Sequence, residues 1–417
     1  MANNKVQHSV KVPRLYKVAT SVLKSFQDGR GSVKTLVYEA KKKHPNVKAL
    51  FALVTECIKY QTDLEAAFSS LNILTIEKPL DKNLALILAT ELIFGKKSLP
   101  GESKPIKTVL RYKNELENAI KDKGQQPRNQ CKNPRYVRVN LLKTTMELSI
   151  VQFQREGLIL KSTPKNYEEF TLAIRDLNDD EFMLDFHMPQ YLLVFPCKKQ
   201  FYDHPLYLDG SVVLQDKASC MSVEALNPPK NAVLLDACAA PGMKTCQAVA
   251  TVGKVIAVER NAKRFKVLKE ILDKHCRGAD YEVLHSDFLQ LNPEDFPNVE
   301  YMVVDPTCSG SGTLDHSTKN DSERLAKLAN LQSMILKHAF KFPGLKKLAY
   351  STCSVNVEEN ENVVEDVLKD VKDQFKLVSA MPNWTRRGLD GHEKCIRVDP
   401  ELDLCTGFFV AVFKRKK

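Results

Sequence analysis

Thirteen residues constrain this chain more than any others: Val233-Leu-Leu-Asp-Ala-Cys-Ala-Ala-Pro-Gly-Met-Lys-Thr245. Three apolar residues read as a short buried strand ending at Asp236. Small residues follow, Pro241 stiffens the turn, and a helix can open after Gly242. Strand, tight turn and helix start form the first unit of a doubly wound α/β sheet, whose ligands bind outside the carboxyl ends of the strands. Ala239, Ala240 and Gly242 allow close approach to the backbone, and a helix start favours a carboxylate. The stretch has no GxGxxG, and Lys244-Thr245 lacks the rest of a GxxxxGK[ST] loop, which argues against dinucleotide and nucleoside-triphosphate sites.

The pattern downstream repeats the unit. After an entry helix within Gln215–Asn227, strands are predicted at Val233–Asp236, Val255–Glu259, Tyr281–Leu284, Tyr301–Asp305, Lys347–Ser351, Phe375–Val378 and Phe408–Phe413. Helices are predicted at Ala262–His275, Glu323–Phe340 and Val357–Leu368. Seven strands with intervening helices predict a doubly wound sheet over residues 210–417.

Upstream the composition changes. Residues 1–125 read as helices: Val47, Leu50, Phe51, Val54 and Ile58 share one face, Lys82–Phe94 suits a helix buried on several sides, and Lys104–Asp122 reads as one charged helix. Residues 121–134 are polar, contain Pro127 and Pro134, and read as a linker. Residues 133–205 suit a small α+β module beginning with the alternating strand Arg135–Asn140 and a helix at Met146–Glu156. Arg135, Tyr136 and Arg138 are candidates to meet RNA through charge and stacking, although they also suit an ordinary strand.

Charge and cysteine usage narrow the function. The net charge is +11, and it is not spread evenly. Residues 1–134 hold 24 Lys+Arg against 12 Asp+Glu, whereas the remainder holds 38 against 39, so the basic excess belongs to the N-terminal third. That is an electrostatic footprint for nucleic acid, or else a solvated helical surface. No apolar run is long enough to span a membrane and no signal-peptide pattern follows Met1. Eleven cysteines without CxxC pairs point to free thiols in a reducing compartment and away from zinc.

Four acids sit where strands end: Asp236, Glu259 and Asp305 close the first, second and fourth, and Asp287 follows the third. In a parallel sheet they line one crevice. Glu259 suits ribose hydroxyls and Asp287 an adenine amino group, so the natural occupant is a nucleoside-bearing cofactor. Two cysteines join them: Cys308 in Asp305-Pro-Thr-Cys-Ser-Gly-Ser-Gly312 and Cys353 in Tyr350-Ser-Thr-Cys-Ser354. A helix opening near Asn356 would lower the Cys353 thiol pKa, whereas Glu358, Glu359 and Glu361 would oppose a thiolate if they pointed inward. Position alone does not say which cysteine acts, and either could be a small buried apolar residue.

These blocks, with Gln215-Asp-Lys-Ala-Ser219 ahead of them and Glu358-Glu-Asn-Glu361 and Thr406-Gly-Phe-Phe-Val-Ala411 behind, resemble the Sun/Nop family of RNA cytosine-C5 methyltransferases over roughly residues 133–413. The terminal regions look most like the branch acting on large-subunit ribosomal RNA. The resemblance implies a class I S-adenosylmethionine-dependent methyltransferase, a Rossmann-like seven-stranded sheet whose last strand, Phe408–Phe413, is antiparallel. It implies a cofactor loop of Cys238, Ala239, Ala240, Pro241, Gly242, Met243 and Lys244, with Glu259 on the ribose, Arg264 nearby, Asp287 near adenine and Asp305 between cofactor and target base. Cys353 would be the nucleophile and Cys308 would help release the product, with Asp305 and Lys244 completing the catalytic set. The implied partner is RNA, in the nucleus and its nucleolus, with no metal and no membrane. Two departures from the family pattern are Met243, where a second glycine is frequent, and Thr307, where proline is common. A non-catalytic assembly factor and a methyltransferase for DNA or free nucleosides are the alternatives. The intact Asp305, Cys308 and Cys353 weigh against the first, and the basic N-terminal third and the RNA-family blocks against the second.

Overall fold

The computed structural model describes residues 12–28, 30, 33–121, 133–313 and 322–416, which divide into two compact units, 12–121 and 133–416. The linker expected at 121–134 lies, apart from its ends, outside the described residues.

The first unit is helical: α1 (Arg14–Gln27), α2 (Val33–Glu39), α3 (Val47–Ser70), α4 (Ile73–Ile76), α5 (Lys82–Ile93), α6 (Lys104–Arg111) and α7 (Lys113–Lys121). Helix α5 is its centre. Asp81 caps it by accepting the Leu84 N–H at 2.8 Å, and every residue from Ala85 to Leu92 is buried. Leu50, Val54 and Ile58 of α3 are buried in the same core, with Val47 and Phe51 partly covered. The single helix expected over 104–122 is two, because Tyr112 (φ −93°, ψ 12°) leaves the helical region. The bend lets Ile106 and Val109 of α6 and Leu116 of α7 share that core.

The second unit contains two sheets. The smaller is built from β1 (Arg135–Val139), β2 (Ile159–Leu160), β3 (Glu181–Leu184), β4 (Leu192–Phe195) and β5 (Val212–Leu214), in the order β2-β3-β4-β1-β5. Helices α8 (Met146–Arg155), α9 (Tyr167–Arg175) and α10 (Pro205–Leu208) accompany it. The sequence places a boundary at 205–210, but β5 pairs antiparallel with β1, so the smaller sheet runs through Leu214 and forms one compact unit with the larger sheet.

Strand β1 lies between β4 and β5 with both faces covered. Tyr136 and Arg138 are therefore only 3% and 2% exposed, and neither is available to stack on RNA. Arg138 instead donates from Nε to Gln215 Oε1 at 2.7 Å.

The larger sheet comprises β6 (Val233–Asp236), β7 (Lys254–Val258), β8 (Tyr281–Leu284), β9 (Tyr301–Val304), β10 (Lys347–Thr352), β11 (Phe375–Val378), β12 (Ile396–Val398) and β13 (Phe408–Arg415). Its order is β11-β13-β10-β9-β6-β7-β8, with β12 on β13. Strands β6 to β10 run parallel, and β13 is antiparallel to β10, β11 and β12. This is the class I methyltransferase arrangement, and the reversal of strand order at β6 and β9 opens the crevice where such sheets bind ligands. Helices α11 (Lys217–Leu226), α12 (Met243–Val249), α13 (Ala262–His275), α14 (Ser322–Ala339) and α15 (Glu361–Val371) cover the faces. Strand β12, which carries too few apolar residues to stand out, extends the seven expected strands to eight. The helix expected at 357–368 breaks at Asn360 (φ −113°, ψ −96°) into a single 3-10 turn, Val357–Glu359, and α15.

A fully buried ion pair joins the two sheets. Lys217 Nζ, at the start of α11, lies 2.7 Å from Asp185 Oδ2 and 4.9 Å from the centre of the Tyr167 ring. Asp216 caps α11 through the Ala218 N–H at 2.9 Å and accepts the Thr406 N–H at 3.2 Å, which ties the 215–219 block to the 406–411 block. Among the described residues, no helix is long and apolar enough to cross a membrane.

Candidate active site

Strand β6 delivers Asp236 to the crevice. Its carboxyl is buried and accepts from Thr245 Oγ1 at 2.7 Å. Burial pushes its pKa up to about 6, against the lowering effect of that hydrogen bond. The loop after it turns at Gly242, where φ is +114° and an added Cβ would meet Leu268 Cδ1 at 3.0 Å. Gly242 is thus required twice, by its backbone and by the side chains packed over it. Ala239 and Ala240 are buried, Cys238 is half-buried, and Pro241 is exposed. Arg264 Nη2 donates to the Ala240 carbonyl at 2.5 Å, so it pins the loop from α13.

Glu259, just beyond β7, is buried. Its Oε1 accepts the Asn261 N–H at 2.7 Å, and its Oε2 lies 3.4 Å from Arg264 Nη1. Asp287 accepts the Leu289 N–H at 3.1 Å and lies 3.4 Å from Arg260. Arg260, Asn261, His285, Ser286, Asp287 and Gln290 line an open polar depression beside the ends of β7 and β8. Two carboxylates at successive strand ends, beside this polar depression, fit a molecule carrying a ribose and an adenine.

Asp305 follows β9. Its Oδ2 lies 2.8 Å from Lys244 Nζ, and its Oδ1 accepts from Ser351 Oγ at 2.7 Å. Ser222 Oγ in turn donates to Ser351 Oγ at 2.9 Å. Burial acts against the Lys244 charge, but the Asp305 carboxylate outweighs it and raises the ammonium pKa. Lys244 is therefore a fixed cation at the mouth of the first loop.

The two thiols meet beside this pair. Cys308 Sγ and Cys353 Sγ are 3.3 Å apart, on the loops leaving the adjacent strands β9 and β10. Hydrogen bonding between them raises the Cys308 pKa, with burial adding to it, and lowers that of Cys353. The expected helix at Asn356 contributes only the one 3-10 turn. The three glutamates separate: Glu358 is exposed, Glu361 is paired with Arg397 at 2.6 Å, and Glu359 turns inward toward Ser309. Among the described residues, no group of three or more His, Cys, Asp or Glu side chains is placed to hold a metal.

Comparison with known proteins identifies the family. The model of the 16S rRNA methyltransferase RsmB/F matches residues 223–414. Two models of NOL1/NOP2/Sun domain family member 5 match further segments, its ferredoxin-like domain over 133–215 and its N-terminal domain over 48–125. The chain is 37% identical to the 28S rRNA (cytosine-C(5))-methyltransferase of Mus musculus, across 96% of this chain and 91% of that one. It is 38% identical to the Drosophila melanogaster protein of the same name, across 99% of each. The chain belongs to the Sun/Nop family of RNA cytosine-C5 methyltransferases. The crystal structure of PH0851 shares the fold, with a TM-score of 0.65 at 19% identity over 98% of this chain and 100% of that one.

Within the Sun/Nop framework the two departures are absorbed. Gly242 already supplies the left-handed turn, so Met243 only opens α12. Thr307 is exposed and is held through its carbonyl, which accepts from Gln332 Nε2 at 3.1 Å, and any residue could supply that carbonyl. Sequence reasoning missed Ser351, Ser309, Gln332 and Asn360. Each is an ordinary polar residue whose role comes from a neighbour brought in by the fold. Thr352 Oγ1 donates to Asn360 Oδ1 at 2.6 Å, and Asn360 Nδ2 donates to the Ser354 carbonyl at 2.9 Å, so Asn360 clamps both sides of Cys353.

Proposed function

We propose that this protein methylates C5 of a cytosine in large-subunit ribosomal RNA, with S-adenosylmethionine as methyl donor, Cys353 as nucleophile and Cys308 assisting release. The observation that carries the reading is the pair of thiols 3.3 Å apart beside the Lys244–Asp305 ion pair, at the carboxyl ends of neighbouring strands. Family membership and the large-subunit rRNA methyltransferase names of the relatives support it. Glu259, Asp287 and the 238–244 loop, with Arg264 behind it, would hold the cofactor, which when bound supplies an electrophilic methyl group.

Cytosine C5 is a poor nucleophile. The Cys353 thiolate adds to C6, an S–C6 bond forms, and the electron pair moves onto C5, the atom that takes the methyl. The reaction ends when C5 loses its proton, the S–C6 bond breaks and the thiolate is regenerated. Cys308, 3.3 Å from Cys353, is placed beside the S–C6 bond as it breaks, and it can take the C5 proton only after giving up its own. Lys244 and Asp305 hold the pyrimidine edge. The target base must be unpaired or turned out of its stack to reach the thiols. The site of action is the nucleus, in the nucleolus where ribosomal RNA is made.

Bisulfite sequencing of total RNA from cells carrying wild-type protein, Cys353→Ala or no protein tests the reading. One large-subunit rRNA cytosine should lose protection in both deficient lines. No changed site would overturn it in favour of a non-catalytic assembly factor. Cys308→Ala should accumulate RNA bound covalently through Cys353, seen as a nuclease-sensitive gel shift. Normal turnover without a shifted band would exclude Cys308 from release.

A further inference from the structure

The two thiols have unlike surroundings, and one part of the difference is a carboxylate on the Cys308 side. Glu359 ends the 3-10 turn after β10, and its side chain is fully buried. Its Oε1 accepts the Ser309 N–H at 2.8 Å and Gln332 Nε2 at 3.0 Å. Its Oε2 accepts from Ser309 Oγ at 2.5 Å and Asn356 Nδ2 at 3.4 Å. Four donors converge on two oxygens, an arrangement that an acceptor-only carboxylate satisfies and a neutral amide does not. Among the described residues no Lys, Arg or His pairs with it. A buried charge without a counter-ion is costly, so a mere link between loops would be made more cheaply by neutral groups.

The charge also has a direction. Glu359 grips Ser309, the residue after Cys308, whereas the cation of the site, Lys244, is held by Asp305 and acts on Cys353. We propose that Glu359 is a positioning residue that holds the Cys308 loop against the Cys353 loop and keeps the proton shared by the two sulfurs on Cys308. The inference rests on Cys353 being the attacking sulfur. The charged and titratable groups around the pair are Glu359 and Asp305, which disfavour a Cys308 thiolate; Lys244, which favours a Cys353 thiolate; Asp305, which opposes it; and the buried Tyr350 hydroxyl, which donates to the Glu359 carbonyl at 2.6 Å.

The test is alkylation of the full chain by iodoacetamide between pH 6 and 9, with Cys308 and Cys353 followed separately by peptide mass spectrometry. In the wild type Cys353 should react at least about tenfold faster than Cys308, since thiolate is the reacting form. In Glu359→Gln, checked by circular dichroism for native secondary structure, that ratio should fall at least about fivefold through faster reaction of Cys308. Should Glu359→Gln fail to fold, Glu359→Asp keeps the charge but withdraws it by one methylene, and the ratio should fall by a smaller factor. An unchanged ratio in the folded variant overturns the role of Glu359 and leaves the methyltransferase reading intact. Faster alkylation of Cys308 in the wild type overturns instead the assignment of the attacking sulfur.

Discussion

At Asp236 burial competes with ionisation, and the outcome can be read as stability. Its pKa is raised from 3.8 to about 6 in the folded chain. The folded state therefore keeps a proton that the unfolded state gives up at lower pH. Its contribution is fully present below pH 3.8 and is lost as pH rises through about 6. Asp236→Asn, which stays neutral, should gain on the wild type across that window by on the order of 3 kcal/mol, and the gain should be constant above about pH 7. Thermal melting of both proteins at pH 4.5 and 7.5 checks the sign; a difference that shrinks with pH contradicts it. Asp236 stood out in the sequence because it ends a strand. Asp305 and Glu359 were also legible, but their partners were not, since Ser309 and Glu359 are 50 residues apart, Ser351 and Asp305 46, and Gln332 and Glu359 27. Such pairings belong to the fold, and no local pattern announces them.

Among the elements, the loops after β9 and β10 are fixed by backbone as well as side chains. Gly312 donates its N–H to the Cys353 carbonyl at 2.9 Å, and its own carbonyl accepts the Gly407 N–H at 2.9 Å. A Cβ at Gly312 would lie 2.2 Å from the Gly407 carbonyl oxygen. Gly312→Ala should therefore cost about 1–3 kcal/mol in denaturant unfolding and, combined with Cys308→Ala, abolish the covalent RNA adduct of that variant, because the thiol loops must part. Strand β1 makes a different case. Alternation identified it as a strand, but alternation cannot say whether the second face meets solvent or another layer. Arg138→Met should lower stability by about 1–3 kcal/mol by leaving Gln215 without its donor, while the salt dependence of RNA binding stays as in the wild type. A flattened salt dependence would restore Arg138 as a phosphate contact. The break at Asn360 was hidden for a related reason: Val357–Leu368 has good helical periodicity, and the bend comes from the tertiary clamp on Thr352 and Ser354.

For the molecule as a whole, charge and chemistry are segregated. The basic excess falls in the helical first unit and the reacting groups in the second. Lys41, Lys42 and Lys43 are exposed in succession after α2. If this unit holds RNA by phosphate contacts, replacing all three with Gln should reduce the slope of log binding constant against log salt by about 2, measured by fluorescence anisotropy. An unchanged slope would place the contacts elsewhere. The large-scale plan was legible because helical and strand periods, charge and the acids at strand ends all agreed. The seam at 205–214 was not, since the short run Val212–Leu214 suits either sheet and only its pairing with β1 decides.

Strand β13 has a consequence for how the protein is made. It pairs with β10, β11 and β12, and residue 407 just before it closes the Cys308 loop. During synthesis every other strand of the sheet, both cysteines and the cofactor crevice emerge before it. Until residues 407–415 insert, strand β10 is an open edge of the sheet and the Gly312 carbonyl lacks its Gly407 partner. The sheet is therefore completed by residues that emerge after all of its other strands.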